Sequence, residues 1–191
     1  MNVHKILGPE GTIAKLLTNY ESRPEQIEMA EAVAAAIQKG KHLMVEAGTG
    51  VGKSFAYLVP AILYAKSGKA KNGDGPATRV VISTHTISLQ EQIFQKDIPF
   101  LQKVMPEQFQ AVLIKGRSNY LSLRRLEVAL KKAPGVVPGP DDLDQLVTIH
   151  QWSKKTTDGS KSDLEQTPSP FAWSLVESDS NNCLGKIGRA H

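Results

Sequence analysis

The 191-residue sequence predicts an α/β fold, a parallel sheet with crossover helices, on three observations. Short runs of β-branched and aliphatic residues alternate with longer stretches of helical period, the rhythm of strands joined by helices. The first run, HLMVEA at 42–47, passes through a Gly-rich turn directly into a segment of helical length. Two more runs, RVVIST at 79–84 and AVLI at 111–114, flank another such segment.

In chain order, Ser22 followed by Glu25 is a capping-box pattern, and Pro24 between them suits a first helical turn. The helix it opens carries Ile27, Ala30, Ala34 and Ile37 on one face and reaches Gly40, suited to a left-handed terminus. After the strand at 42–47, KSFAYLVPAILYAK (53–66) reads as a helix that Pro60 should kink or deprive of one hydrogen bond. Residues 67–78 are small, polar and Gly-rich, an exposed loop. A buried strand at 79–84, one helix through SLQEQIFQKDIPFLQKV and a third strand at 111–114 follow. SNYLSLRRLEVALKK (118–132) reads as a helix that stops at the Pro- and Gly-rich break 133–142. DDLDQLVTIHQWSKK then places Leu143, Leu146, Val147 and His150 on one side of another. The remainder reads as loop around a short apolar piece, AWSLV.

Composition narrows the class. At 40% hydrophobic and 22% charged residues the chain is neither collagenous nor wholly disordered. Its single cysteine, Cys183, excludes an internal disulfide and a Cys-rich zinc site. The most apolar stretch, AYLVPAILYA at 56–65, is too short to cross a bilayer, and the first residues lack a signal-peptide run. A cytoplasmic location is expected. The net charge of +4 arises wholly within residues 1–120 and suits an anionic partner without identifying one.

The chemistry concentrates in Ala47-Gly48-Thr49-Gly50-Val51-Gly52-Lys53-Ser54, between a predicted strand and a predicted helix. Glycines let the backbone wrap a polyphosphate, successive N–H groups form an anion nest, and the helix aims its positive end at the same place. Lys53 supplies a charge for the β- and γ-phosphates, and Ser54 an oxygen for Mg²⁺. A plain Gly-rich turn would not need Gly-Lys-Ser in this setting, so a nucleoside triphosphate site is expected, with Lys53 and Ser54 its catalytic residues. Upstream, Gln26 can bond bidentately to an adenine edge, which would select ATP. Taken alone, it is an exposed helix residue. Thr84, His85 and Thr86 end the second strand, where hydroxyls and helix N–H groups suit phosphate oxygens or simply cap a helix. From 115 to 132, Lys115, Arg117, Arg124, Arg125, Lys131 and Lys132 face one acid, Glu127, with Tyr120 among them. That pattern fits a single-stranded nucleic acid as well as it fits a solvated basic face.

YESRPEQIEMA at 20–30, VEAGTGVGKSFAYLVPAIL at 45–63, VVISTHTISLQEQI at 80–93 and KGRSNYLSLRRL at 115–126 together resemble the start of the DinG-like, XPD-related superfamily 2 DNA helicases. The resemblance implies a RecA-like P-loop motor domain, of which residues 1–116 would be an N-terminal, incomplete part. Residues 117–185 would be part of a mainly helical insertion and 186–191 a non-native tail. It implies that Gln26 and Arg23 hold adenine, and that Ala47 to Ser54 hold the phosphates and Mg²⁺. Thr84, His85 and Thr86 would touch the DNA backbone, joined by Lys115, Arg117 and Tyr120.

The partners implied are ATP and single-stranded or forked DNA, with ATP hydrolysis driving movement 5′ to 3′; no membrane or oligomer is implied. Many relatives of this kind carry a [4Fe–4S] cluster in that insertion. Cys183 matches its second cysteine, but Ser122 stands where the first is due and Gly188 where the third is, so this chain by itself is expected to hold no cluster. No Asp-Glu-x-His box follows the P-loop. Weak ATP binding without unwinding is therefore expected of the chain alone, and a stand-alone P-loop module that binds ATP or single-stranded DNA is the alternative.

Overall fold

The computed structural model describes residues 2–18, 20–68, 78–106, 108–137 and 139–180. Most of the loop at 67–78, Cys183 and the tail 186–191 lie outside them. The chain forms two compact units, Met1–Leu113 and Ile114–His191.

The first unit is built around two long helices, α3 (Pro24–Lys39) and α4 (Lys53–Ser67), packed against each other. Two short helices precede them, α1 (His4–Leu7) and α2 (Thr12–Leu16). Pro24 takes the first turn of α3 and makes Arg23 its N-cap, with no side-chain capping bond. Ser22 therefore stands one residue too early, and the predicted capping box with Glu25 does not form. The other end is as the sequence predicts. Gly40 turns left-handed at φ 60, Lys41 N–H bonds Ala36 O at 2.9 Å, and Gly40 N–H bonds Ile37 O at 3.3 Å. Gln26, Ala30 and Ala34 form the buried stripe of α3, spaced by four. Small side chains there let α4 approach closely.

Pro60 remains inside α4, fully buried. Around it Ala56, Leu58, Val59 and Ile62 join Ile6, Leu7, Ile13 and Leu101 in one core. The stretch predicted as a single helix after residue 87 is instead three segments: α5 (Ile87–Gln92), a π-helical turn (Ile93–Asp97) and α6 (Ile98–Val104). Pro99 accounts for the interruption, because it has no N–H to continue the regular ladder. The Phe55 and Phe100 rings stack across this region with centroids 5.5 Å apart.

The segments 42–47, 79–84 and 111–114 differ from expectation. They join no helix and no ladder among the described residues, where the only bridges are the isolated pairs Tyr120–Ser160 and Leu121–Glu177. Met44 is 98% exposed, Val81 90% and Val112 82%, whereas the sequence predicts burial. Apolar, β-branched content marks a segment as fit for a sheet, but its N–H and C=O groups need a neighbouring strand to be held there.

The second unit holds α7 (Leu123–Val136), α8 (Pro140–Ser153) and α9 (Pro170–Val176) around Leu126, Leu146, Ile149, Trp173 and Val176. Helix α7 starts at Leu123, later than predicted, and runs to Val136, into the predicted break at 133–142. On α8 the buried residues are Leu146 and Ile149, while Leu143 and Val147 are each 42% exposed. The face is rotated from the predicted one because α8 packs on both α7 and α9. AWSLV falls within α9, whose N-cap Ser169 accepts from Ala172 N–H at 3.0 Å. Trp173 Nε1 donates to Ser118 O at 2.6 Å.

Leu146 is completely buried in this cluster. Leu146→Ala should destabilise the second unit by about 2–5 kcal/mol. The measurement is urea unfolding followed by tryptophan fluorescence, since Trp152 and Trp173 both report on that unit; an unchanged midpoint would refute the packing described.

Candidate phosphate-binding loop

The loop from Ala47 enters α4 through Gly50 and Gly52, both left-handed, at φ 84 and 82. These are conformations that side-chain-bearing residues adopt only with strain. Gly52 is also the N-cap of α4, so the unbonded N–H groups of the first turn face the loop. Lys53 Nζ donates to Ala47 O at 2.9 Å and Gly48 O at 2.6 Å, which holds its ammonium within the loop. Ser54 is half-buried in the first turn of the helix, Thr49 is exposed and Val51 half-buried.

Two side chains brace the loop from α3. Gln26, only 5% exposed, donates from Nε2 to Gly52 O at 2.9 Å. It is not the exposed helix residue that its isolated sequence position suggests. The signal was available: Gln26 precedes Ala30 and Ala34 on the same buried stripe. Arg23 Nη1 bonds Gly50 O. A third contributor, Tyr20, carries no sequence signal of its own. Its hydroxyl donates to Leu7 O at 2.7 Å and lies 3.4 Å from Gln26 Oε1. Burial pushes its phenol pKa up, with the Arg23 charge pulling the other way.

Asp97 was likewise not singled out by sequence. It stands beside the Ser54 hydroxyl, and its Oδ2 is buried with no hydrogen-bond partner. Burial raises its carboxyl pKa, while Ser54 and the Lys96 charge oppose the shift. A pocket of about 420 Å³ near α1, lined by His4, Glu31 and Gln38, contains none of the predicted site residues.

The residues predicted to touch nucleic acid are placed as follows. Thr86 caps α5, accepting from Leu89 N–H at 3.3 Å, and Thr84 Oγ1 donates to Thr86 O at 3.1 Å; His85 is exposed. In the second unit Lys115 is buried, its Nζ 3.3 Å from Ser160 Oγ and 2.5 Å from Ser162 Oγ. Its N–H donates to the Tyr120 hydroxyl at 2.9 Å. Arg117 is exposed in a 3₁₀ turn, Arg117–Asn119. Arg125 is tied to Glu177 O and Ser174 O at 2.8 and 2.6 Å. Ser122, at the position where the resemblance implies a first cluster cysteine, caps α7 by accepting from Arg125 N–H. Among the described residues no three His, Cys, Asp or Glu side chains gather to hold a metal ion. Nor is any described helix long and apolar enough to cross a membrane.

Two left-handed glycines leading into Lys-Ser at a helix N-terminus are the mark of the P-loop class. More narrowly, the chain belongs to the DEAD/DEAH box helicase family, which matches residues 25–162. That family implies a P-loop, RecA-like fold with ATP and Mg²⁺ as ligands.

Similar proteins include the ATP-dependent DNA helicase YoaA of Escherichia coli (strain K12), 40% identical over 178 residues, or 93% of this chain and 26% of that protein. The ATP-dependent helicase DinG of Mycobacterium tuberculosis (strain H37Rv) is 36% identical across 85% of this chain and 26% of its own length. The 3'-5' exonuclease DinG of Bacillus subtilis (strain 168) is 34% identical across 82% of this chain and 16% of its own length. The chain thus spans about a quarter or less of the relatives it matches.

Gly52 is doubly constrained, because a Cβ there would meet the Gln26 amide as well as the left-handed backbone. Gly52→Ala should cost about 1–3 kcal/mol of stability. A thermal melt followed by circular dichroism tests this, and an undisturbed melting temperature would refute the geometry.

Proposed function

We propose that this chain carries the ATP-binding part of an ATP-dependent DNA helicase of the DinG type, in which ATP hydrolysis drives movement 5′ to 3′ along single-stranded DNA. The observation that carries the reading is the loop Ala47 to Ser54, shaped by Gly50 and Gly52 and braced by Arg23 and Gln26. The family match and the names of the relatives support it.

The ligand chemistry follows from the donors and acceptors in place. When bound, Mg²⁺ offsets polyphosphate charge and polarises the phosphoryl group. The residues fit such an ion: Ser54 Oγ would hold it, and the Asp97 carboxylate beside Ser54 adds negative charge with an unpartnered oxygen. Lys53 would exchange the Ala47 and Gly48 carbonyls for phosphate oxygens, bonds that gain from charge on both partners. Gln26 keeps capacity beyond its bond to Gly52, since an amide has two N–H donors and an oxygen with two lone pairs. It can therefore read an adenine edge while still tied to the phosphate loop, joining base recognition to loop geometry.

For the partner, exposed His85 and Arg117 and the α5 terminus capped by Thr86 suit the backbone of single-stranded or forked DNA. Thr84, Lys115 and Tyr120 would support those contacts through the hydrogen bonds they make. Residues 1–116 would belong to the first motor domain and 117–185 to an insertion in it. The segments 42–47, 79–84 and 111–114 would be strands of its parallel sheet, since each is rich in strand-forming residues. Ser122, at the position where the resemblance expects a first cluster cysteine, is engaged as the cap of α7 and offers no thiolate to a [4Fe–4S] cluster.

Lys53→Ala should weaken MgATP binding by about 2 kcal/mol, roughly 30-fold in Kd, by calorimetric titration. Gln26→Ala should reduce the preference for ATP over GTP; equal losses for both nucleotides would remove it from base recognition. Amide hydrogen exchange tests the sheet. Protection of residues 79–84 would support the strand assignment, and exchange at free-chain rates would refute it.

A further inference from the structure

In the second unit, residues 116–118 are exposed, yet the turn they form is fixed at both ends. Ahead of it, Lys115 is buried, with Nζ 3.3 Å from Ser160 Oγ and 2.5 Å from Ser162 Oγ. Behind it, Leu121 N–H bonds Gly159 O at 2.9 Å and Ser122 N–H bonds Val176 O at 2.8 Å. The turn is also closed on itself. Lys115 N–H donates to the Tyr120 hydroxyl at 2.9 Å, and Asn119 bonds Gly116 O twice, through its N–H at 2.9 Å and its Nδ2 at 3.1 Å. From the core side Trp173, only 3% exposed, donates Nε1–H to Ser118 O at 2.6 Å. What this turn presents to solvent is Arg117, whose guanidinium fork suits phosphate oxygens. A backbone already held under such a charge loses less freedom when the charge is engaged.

We propose that Lys115 and Trp173 are positioning residues for single-stranded DNA: their bonds hold the turn, and Arg117 on it is the group that meets a backbone phosphate. This rests on the DNA-binding reading above and deepens it by separating contact from support. The sequence pattern puts Lys115 at the phosphate itself; buried beside two serine hydroxyls, its ammonium acts through Arg117 instead. The two roles leave different marks on binding. A cation that neutralises a phosphate releases a counterion, so removing it lowers the slope of log affinity against log salt by about 0.7 for a single strand. A positioning residue releases none, and its loss weakens binding at every salt concentration without changing the slope.

Fluorescence anisotropy of labelled oligothymidylate, titrated with the 191-residue chain across a KCl series, tests the assignment. Lys115→Met, which keeps the aliphatic stem, should weaken binding about fivefold at an unchanged salt slope. Arg117→Ala should weaken binding and lower the slope by about 0.7. In the Arg117→Ala background, Lys115→Met should cost nothing further, because one residue acts through the other. Full affinity in Lys115→Met, a lowered slope in that variant, or additive losses in the double variant would overturn the proposal. If Lys115→Met does not fold, Trp173→Phe keeps a ring in the core and removes only the N–H donated to Ser118; full affinity or a lowered slope there would also overturn it. Arg117→Ala separates the two levels. If the wild type does not bind the oligothymidylate, or Arg117→Ala binds it equally well, the DNA-binding reading of this turn fails, and this proposal with it. If Arg117→Ala loses affinity while Lys115→Met keeps it, only the positioning role fails.

Discussion

The close packing of α3 on α4 is the constraint on which the loop depends. Ala30 and Ala34 are small enough to let the helices approach, and Gln26 continues their stripe by one turn. That continuation brings a buried amide to the Gly52 carbonyl at the start of α4. A larger side chain at 30 or 34 would separate the helices and draw Gln26 away. The shape of the loop is therefore set partly by two alanines that never face a ligand. Tyr20 ties the same corner to α1 through the Leu7 carbonyl.

Helices were more legible in the sequence than pairings. The spacing of Ala30 and Ala34, the Gly40 terminus and the Lys-Ser opening of α4 are local signals, and each has its structural counterpart. The interrupted helix after Ile87 was less legible. Pro99 marks the disturbance, but its resolution as a π-helical turn depends on which of Ile93, Ile98 and Leu101 the core accepts. Strand pairing was the least legible, because residues such as Val81 and Met44 declare a preference for a sheet but not the neighbour that would complete it.

Within the site, the residues with a chemical signature were found by sequence and those with only a positional one were missed. Gly-Lys-Ser is legible because no other function needs that order beside a strand. Tyr20 and Asp97 look ordinary, and only proximity to Gln26 and Ser54 gives them meaning. The second unit shows the converse. Lys115, Tyr120 and Arg125 look like an exposed basic strip, yet all three make hydrogen bonds within that unit. The aliphatic stem and multiple donors of a long cation serve internal carbonyls and hydroxyls as readily as external phosphates.

The π-helical turn also fixes the length of the chain that contains it. One residue of helix corresponds to a rotation of about 100°. Deleting a single residue between Ile93 and Asp97 would rotate Asp97 and α6 together relative to α5, carrying the buried Leu101 as well as the carboxylate a quarter-turn or more from their present places. Variation in that stretch should therefore preserve its count more strictly than its composition, as a spacer does.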